Sequence, residues 1–345
     1  MQNENELTKL INRVKKQTSS SNKKQLKPAV IVLIDFVCVG IILVVFSLFH
    51  HVIPRPSDPI QSTIPHYYTA TPAKASDSAD ISLSDSSNES RNNANTIGDF
   101  SERFNAVELD KSGLYSYENN TVKISIKKSS SYGAVYFIAD VWVKSIDDFK
   151  TAFAKDTFGV GVTQKPVDIA DSVGAIFAVT GDYCGARSEG LVIRNGQLYR
   201  ESINSDICVL YVDGTMETIE YENTSSWSYA DKGVCQAWGF GPALLSDGQA
   251  IKSFKDKIRV KNPRSSIGYY EPGHYCFITV DGRQRGYSDG LSLSELSEVY
   301  ADLGCKYAFN LDGGATAAMV FNGKVINRPY KGGRASSDII CFLGD

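Results

Sequence analysis

Residues 275–314 read YCFITVDGRQRGYSDGLSLSELSEVYADLGCKYAFNLDGG, and this stretch decides the fold class. Two apolar runs, YCFITV and KYAFNL, have the length and composition of buried strands. Each run leads into Asp-Gly, at Asp281 and at Asp312, and the glycine allows the backbone to turn tightly. The stretch therefore predicts two strands that each carry a carboxylate to their C-terminal tip.

A helix is predicted between these two strands. Apolar side chains recur at helical spacing from Leu293 to Leu303, which is typical of a helix with one buried face. Ser292 and Glu295 have the spacing of a capping box, and Gly304 stands where a C-terminal cap belongs.

Further strands are predicted on both sides of this stretch. TVKISIKK alternates with period two, and the more apolar runs are AVYFIADVWV, GAIFAVT, GLVIRN and DIICFL. A second helix is predicted over residues 146–154. The pattern predicts an α+β fold, a strand-rich domain over residues 101–345 with a large mixed β-sheet and few helices.

The N-terminus has the pattern of a membrane anchor. Residues 1–27 contain seven Lys or Arg against two Glu, and an apolar run follows over residues 28–49, interrupted by Asp35. This run is long enough to span a bilayer and longer than a signal-peptide core, and no Ala-x-Ala-like site follows it. We expect a single-pass membrane protein with a cytoplasmic basic tail and an extracytoplasmic C-terminal domain, on a bacterial cell surface.

Residues 50–100 are predicted to be a disordered extracytoplasmic linker, because they are rich in Ser, Asp, Asn, Thr and Pro. Six cysteines follow the anchor, an even number where disulfides are permitted. However, Cys276, Cys305 and Cys341 lie in or beside apolar strands, where a free thiol packs as a small hydrophobe. Both possibilities stay open.

Several classes of function are disfavoured. The formal net charge of −3 argues against nucleic-acid binding. His274 is the one histidine of the domain, so a catalytic triad would need it, and His-based zinc sites are disfavoured. GxxxxGK[ST] and strand-linked GxGxxG motifs are absent, and no predicted strand runs directly into the GYSDG string at residues 286–290 to make a GxSxG nucleophile elbow. No cofactor is expected; Asp residues and carbonyls could hold calcium, although no spacing requires it.

Carboxylates and arginines carry the chemistry that remains. Three predicted strands end in a carboxylate beside glycine, at Asp182, Asp281 and Asp312, which favours one shared site. Arginine guanidinium groups bind phosphate or carboxylate in a planar fork. The candidate arginines are Arg187, Arg264, Arg283 and Arg334, whereas we expect Arg194 and Arg200 to form surface ion pairs.

Five blocks resemble, in order, those of the phosphodiester glycosidase family. They are AVTGDYCGARSEGLVIRNGQLYRE, GFGPALLSDGQ, NPRSSIGYY, the long block from FITVDGRQRGYSDG to NLDGGATAAMVFNGKVINRP, and GGRASSDIICF. The resemblance implies hydrolysis of a sugar joined through its anomeric carbon to a phosphodiester, with a glycan as substrate. It also implies catalytic carboxylates and substrate-binding residues. The implied catalytic residues are Asp182, Asp312 and Asp281, and the implied substrate-binding residues are Arg264, Arg283, Asn310, Gly313, Gly314, Thr316, Ser288 and Arg334.

Two positions depart from the family pattern. Thr180 replaces the asparagine that precedes Gly-Asp, and Ala315 replaces the third glycine of NLDGGGS. If that glycine needs a positive φ, Ala315 would be strained. These changes keep an alternative open, a non-catalytic polysaccharide-binding or scaffold protein of exopolysaccharide assembly in the cell envelope. A sugar transferase with the same cleft is a third possibility.

Overall fold

The computed structural model describes residues 27–51, 53–63, 97–228, 233–255 and 257–344. Most of the predicted basic tail and residues 64–96 of the predicted linker lie outside the described residues. The chain divides into two compact units, Met1–Ile53 and Pro54–Asp345.

The first unit contains helix α1, Pro28–His51. Its segment Pro28–Phe49, 22 residues long, is long and apolar enough to cross a membrane. The helix fits a membrane anchor or a signal anchor.

The second unit is rich in strands. Its α-helices among the described residues are α2 (Ser101–Ala106), α3 (Pro166–Ser172) and α4 (Leu293–Asp302). The strands of this unit are β1 (Arg55–Pro56), β2 (Gln61–Ser62), β3 (Tyr115–Glu118), β4 (Val122–Ser131), β5 (Ala134–Val143), β6 (Lys150–Phe153), β7 (Gly159–Val160), β8 (Ala175–Thr180), β9 (Val192–Arg194), β10 (Gln197–Arg200), β11 (Ile207–Tyr211), β12 (Met216–Ile219), β13 (Val234–Trp238), β14 (Ala243–Ser246), β15 (Gln249–Ala250), β16 (Arg264–Glu271), β17 (His274–Val280), β18 (Tyr307–Leu311), β19 (Met319–Phe321), β20 (Lys324–Val325) and β21 (Asp338–Leu343).

These strands form three large sheets and one small ribbon. An eight-stranded sheet has the order β15-β14-β18-β16-β17-β5-β4-β3, a six-stranded sheet β12-β11-β13-β9-β10-β2, and a five-stranded sheet β20-β19-β8-β21-β6. The ribbon pairs β1 with β7. The strand-rich α+β fold is confirmed, but each pairing among the described strands is antiparallel rather than mixed.

One core joins the three sheets. Its buried side chains include Phe277 of the eight-stranded sheet, Phe177 and Phe342 of the five-stranded sheet, and Trp238 of the six-stranded sheet. The rings of Phe177, Phe277 and Phe342 lie 5.6 to 6.0 Å apart. Such aromatic packing between the inner faces of sheets fixes their edges in place.

Helix α4 matches its prediction. Ser292 is the N-cap, and its side chain and that of Glu295 form the capping box. Gly304 ends the helical turn with φ of 80°. The helix packs its apolar face on the eight-stranded sheet, in a cluster with Leu244 and Ile278.

The prediction of a helix over residues 146–154 is wrong. Ile146–Asp148 form one turn of 3₁₀ helix, and the chain then enters strand β6. β6 pairs with β21, so tertiary pairing overrides the local helical pattern.

The start of the predicted disordered linker is ordered. β1 pairs with β7, and β2 pairs with β10. Thr63 is buried and donates its hydroxyl to Val234 O at 2.7 Å. Backbone pairing at a sheet edge depends little on composition, so a polar segment can dock there.

The seven cysteines are free thiols in this structure, and the six of the second unit are buried. Cys276, Cys305 and Cys341 belong to apolar clusters, as a free thiol beside apolar strands is expected to do.

Candidate active site

Antiparallel pairing brings the predicted strand ends together. β16 lies between β17 and β18, with Arg264 opposite Val280 and Ser265 opposite Leu311. The first residue of β16 therefore lies beside the last residues of its neighbours. The end of β8 joins them, because Asp312 N donates to Gly181 O at 3.0 Å.

A cavity of about 370 Å³ opens at this junction. Seven of the predicted site residues line it: Arg264, Arg283, Asn310, Asp312, Gly313, Gly314 and Arg334. The other lining residues are Tyr183, Arg187, Phe240, Ile258, Asn262, Pro263, Leu311, Ala315 and Tyr330. The predicted residues Asp182, Asp281, Thr316 and Ser288 are not among the lining residues.

Asp312 is the one carboxylate among the described residues that line the cavity. Its side chain is 6 % exposed, and Oδ2 has no hydrogen-bond partner among the described residues. Arg334 Nη2 lies 4.0 Å from that oxygen. Burial raises the pKa of Asp312 to about 7, against the opposing effects of Thr316 and Arg334. The group can exchange a proton near neutral pH.

Asn310 presents a second acceptor. Its Nδ2 donates to Gly241 O at 2.8 Å, which leaves Oδ1 buried without a hydrogen-bond partner among the described residues. The glycines beside Asp312 let the backbone pass close to its neighbours: a Cβ on Gly313 would meet Pro263 O at 2.6 Å. Gly314 has φ of 66°, a conformation that favours glycine.

Arg264 is a buried cation without a neutralising carboxylate among the residues that the structure describes. It is 3 % exposed and donates to three backbone carbonyls, of Ile258, Val260 and Leu291. It forms no ion pair with a carboxylate of the described residues. Burial first, and then the charge of Arg283, lower the pKa of Arg264 to about 10, so it stays protonated at neutral pH.

Arg283 adds a second positive charge to the cavity beside that of Arg264. Its Nε and Nη2 donate to Asn262 Oδ1 at 3.0 and 2.7 Å, and its guanidinium lies 5.6 Å from the Tyr330 ring centre. Its φ of 56° is unusual for a residue with a side chain. Asn262 orients the guanidinium; it lies in the NPRSSIGYY block but was not among the predicted site residues.

Two more arginines lie around Tyr183. The Arg187 guanidinium is 4.7 Å from the Phe240 ring centre and 5.8 Å from that of Tyr183. The Arg334 guanidinium is 5.6 Å from the Tyr183 ring centre. Such stacking holds a guanidinium while its N–H edge stays available.

Asp182 belongs to a buried charge network behind the cavity. Its carboxylate accepts hydrogen bonds from Tyr183 N and Gly239 N at 2.6 and 3.0 Å. Arg194 lies 3.7 Å from Asp182 and donates to Asp338 Oδ2 at 2.7 Å. These contacts suit a role for Asp182 in positioning the backbone that carries Tyr183.

The expectation that Arg194 and Arg200 form surface ion pairs is wrong. Arg194 is 2 % exposed and lies between Asp182 and Asp338. Arg200 donates to the carbonyls of Cys184, Arg187 and Gly190, and so ties down the loop that carries Arg187.

Asp281 and Ser288 support a loop. Asp281 accepts hydrogen bonds from Asn327 Nδ2, Arg328 N and the Tyr287 hydroxyl, each at 2.9 Å. The Ser288 hydroxyl donates to Asp281 O at 2.6 Å. Burial raises the pKa of Asp281, and both of its oxygens are already occupied.

The two departures from the family pattern cause no strain. The Thr180 hydroxyl is fully buried and donates to Thr316 O, and it accepts from Ala318 N at 3.1 Å. Thr316 in turn donates its hydroxyl to Gly313 O at 2.6 Å. Ala315 is not among the non-glycine residues with positive φ, and the neighbouring Gly314 takes that conformation.

His274 lies at the other end of β17 from Asp281. Its Nε2 is 2.6 Å from Asp140 Oδ1, and its ring stacks on Trp142. The seven residues of β17 span roughly 20 Å at about 3.3 Å per residue, so a triad at the cavity cannot use this histidine. No cluster of three metal-ligating side chains is found among the described residues.

Comparison with known proteins places this fold. Residues 173–343 match the phosphodiester glycosidase family. The SPbeta prophage-derived uncharacterized protein YomE of Bacillus subtilis (strain 168) is 27% identical over 232 residues, 60% of this chain and 36% of that protein. The chain thus aligns with about a third of that relative's length.

Two solved structures share the fold. The catalytic domain of zebrafish N-acetylglucosamine-1-phosphodiester alpha-N-acetylglucosaminidase, auto-inhibited by its pro-peptide, has a TM-score of 0.51 at 18% identity, over 69% of this chain and 88% of that chain. A hypothetical protein from Synechocystis has a TM-score of 0.50 at 14% identity, over 65% and 62%.

Family and fold place the domain, at a coarse level, among glycosidase-type hydrolases. More particularly, residues 173–343 carry a phosphodiester glycosidase domain, as the motifs predict.

Proposed function

We propose that the protein is a membrane-anchored, extracytoplasmic hydrolase that releases a sugar from a sugar-1-phosphodiester in cell-surface or secreted glycans. The observation that carries this proposal is one buried carboxyl with a pKa of about 7, Asp312, in a cavity whose other charged side chains are arginines. The name of the zebrafish structural relative refers to the same kind of bond.

In the proposed reaction the bond between the anomeric carbon and the phosphate oxygen breaks. The oxygen of water bonds to the carbon, and the water loses one proton. The phosphate monoester leaves with the bonding electron pair. Arg264 and Arg283 stabilise the charge that develops on the departing phosphate. Because phosphate is a good leaving group, the reaction depends less on a strong general acid.

Asp312 acts as the general base in this proposal. Its Oδ2 accepts no hydrogen bond from the described residues, so it can accept the proton of the attacking water. Asn310 Oδ1 is available to accept a sugar hydroxyl. Asp182 and Asp281 hold the surrounding backbone, so we propose positioning roles for them.

The membrane orientation is part of the proposal. Lys and Arg are abundant before α1 and sparse after it, which supports a cytoplasmic N-terminus and an external domain.

Release of free sugar tests the proposal. Residues 54–345 would be incubated with an N-acetylglucosamine-1-phospho-alkyl diester, beside Asp312→Asn and Arg328→Gln. Arg328 stacks on Tyr287 outside the cavity and serves as the matched control. We expect release that falls at least 100-fold in Asp312→Asn and persists in Arg328→Gln. Binding without release, across several sugars, would contradict the hydrolase and favour the polysaccharide-binding alternative.

A further inference from the structure

The charges of the cavity exceed what one phosphodiester requires. Four arginines line it, Arg187, Arg264, Arg283 and Arg334, against the single carboxylate Asp312 among the described lining residues. A phosphodiester carries one negative charge. Even with Asp312 ionised, two positive charges would remain without a counter-charge in the occupied cavity.

The four arginines form two separate pairs. Arg264 and Arg283 interact through their charges and both contact the 258–262 segment. Arg187 and Arg334 share the ring of Tyr183, at 5.8 and 5.6 Å. Asp312 lies next to the second pair, 4.0 Å from Arg334.

The second pair has at most one counter-charge, from Asp312, which lies 4.0 Å from Arg334. Arg187 forms no ion pair with a carboxylate of the described residues, and the 4.0 Å contact of Arg334 is with a carboxyl whose pKa is about 7. Stacking on Phe240 and Tyr183 fixes Arg187 while its N–H groups remain free to bind an anion.

We propose that Arg187 and Arg334 form a second anion subsite, and that the substrate joins its sugar to a diphosphate rather than to a single phosphate. This inference rests on the proposed function and names the substrate class of the same site. The phosphate bonded to the sugar binds Arg264 and Arg283, and the next phosphate binds Arg187 and Arg334. Hydrolysis then breaks the same carbon–oxygen bond, and the products are free sugar and a diphosphate monoester.

Anion binding tests the subsite without any turnover. The full-length chain in detergent micelles would be titrated with inorganic pyrophosphate and with inorganic phosphate by calorimetry, as wild type, Arg187→Gln and Arg328→Gln. We expect pyrophosphate to bind at least 10-fold more tightly than phosphate. Arg187→Gln should remove most of that difference and leave phosphate affinity within about 2-fold, because Arg264 and Arg283 remain. Arg328→Gln should retain the difference.

Three results would overturn the inference: equal affinity for the two anions, an equal loss of both in Arg187→Gln, or no binding of either. Sugar release from the single phosphodiester tests the hydrolase separately. If that release occurs while the anions bind equally, the hydrolase stands and the diphosphate preference fails. If the anions behave as expected and sugar is released from neither the single phosphodiester nor a sugar diphosphate ester, the subsite stands and the hydrolase fails.

Discussion

Burial of the ionised Asp312 carboxylate lowers the stability of the folded state, and this effect depends on pH. The pKa of its carboxyl lies at about 7, above the ordinary value of 3.8, so the folded state binds more protons between these values. Stability should therefore fall as pH rises from about 4 to about 7, and the full cost remains above that window.

Replacement of Asp312 by Asn should stabilise the protein at pH 8 and much less at pH 5. The raised pKa corresponds to about 1–4 kcal/mol, at about 1.4 kcal/mol per pKa unit, and Asn does not titrate. Thermal unfolding of both forms at the two pH values measures this. An equal difference at pH 5 and pH 8 would contradict a raised pKa.

The same proton governs the proposed chemistry. A general base works when it is deprotonated, so kcat/KM should rise as pH increases through about 7 in the free enzyme. The profile should be measured with a phosphodiester that has no group titrating in that range. A profile that falls with increasing pH would assign Asp312 as a general acid instead.

Arg194 should be essential to stability. Arg194→Met would leave the carboxylates of Asp182 and Asp338 buried without their cation, at a cost of about 3–5 kcal/mol. The loss should be smaller at pH 5 than at pH 8, because burial already raises the pKa of Asp338 to about 6 and protonation of this carboxyl relieves the loss. Urea unfolding compares this variant with Arg328→Met, which alters an exposed arginine. Similar losses in both variants would refute the role of the network.

Among the secondary-structure elements, apolar runs and helix-capping residues predicted several positions correctly. The run AVYFIADVWV matches β5, Ala134–Val143, residue for residue, and Ser292 caps α4 as expected. The prediction of a helix over residues 146–154 is wrong for a physical reason. β6 forms a strand because it pairs with β21, which lies almost 190 residues further along the chain. Short helices such as α3, seven residues long, carry too little periodicity to be recognised.

The docked segment around β1 and β2 should stabilise the domain. Removal of residues 54–63 would expose the edge of β10 and leave Val234 O without the Thr63 hydroxyl. We expect the chain 64–345 to unfold at least 3 °C below the chain 54–345, from a loss of about 1 kcal/mol or more. Equal melting temperatures would show that the segment does not contribute.

At the scale of the whole molecule, the motifs indicated which strand ends meet but not how each side chain is used. Asp182, Asp281 and Asp312 look equivalent in sequence, each following an apolar strand. In the fold, Asp312 reaches the cavity, whereas Asp182 and Asp281 are occupied by neighbouring backbone and side chains. Asn262 and Asp338 lie in the blocks NPRSSIGYY and GGRASSDIICF, but their roles could not be predicted, because their partners come from distant parts of the chain.

In the proposed reaction, water attacks the anomeric carbon of the sugar. The most direct measurement is hydrolysis of the phosphodiester in ¹⁸O-labelled water, followed by mass spectrometry of both products. We expect the label to enter the anomeric hydroxyl of the released sugar and the phosphate to stay unlabelled. Label in the phosphate would show cleavage of the phosphorus–oxygen bond, and would contradict a glycosidase.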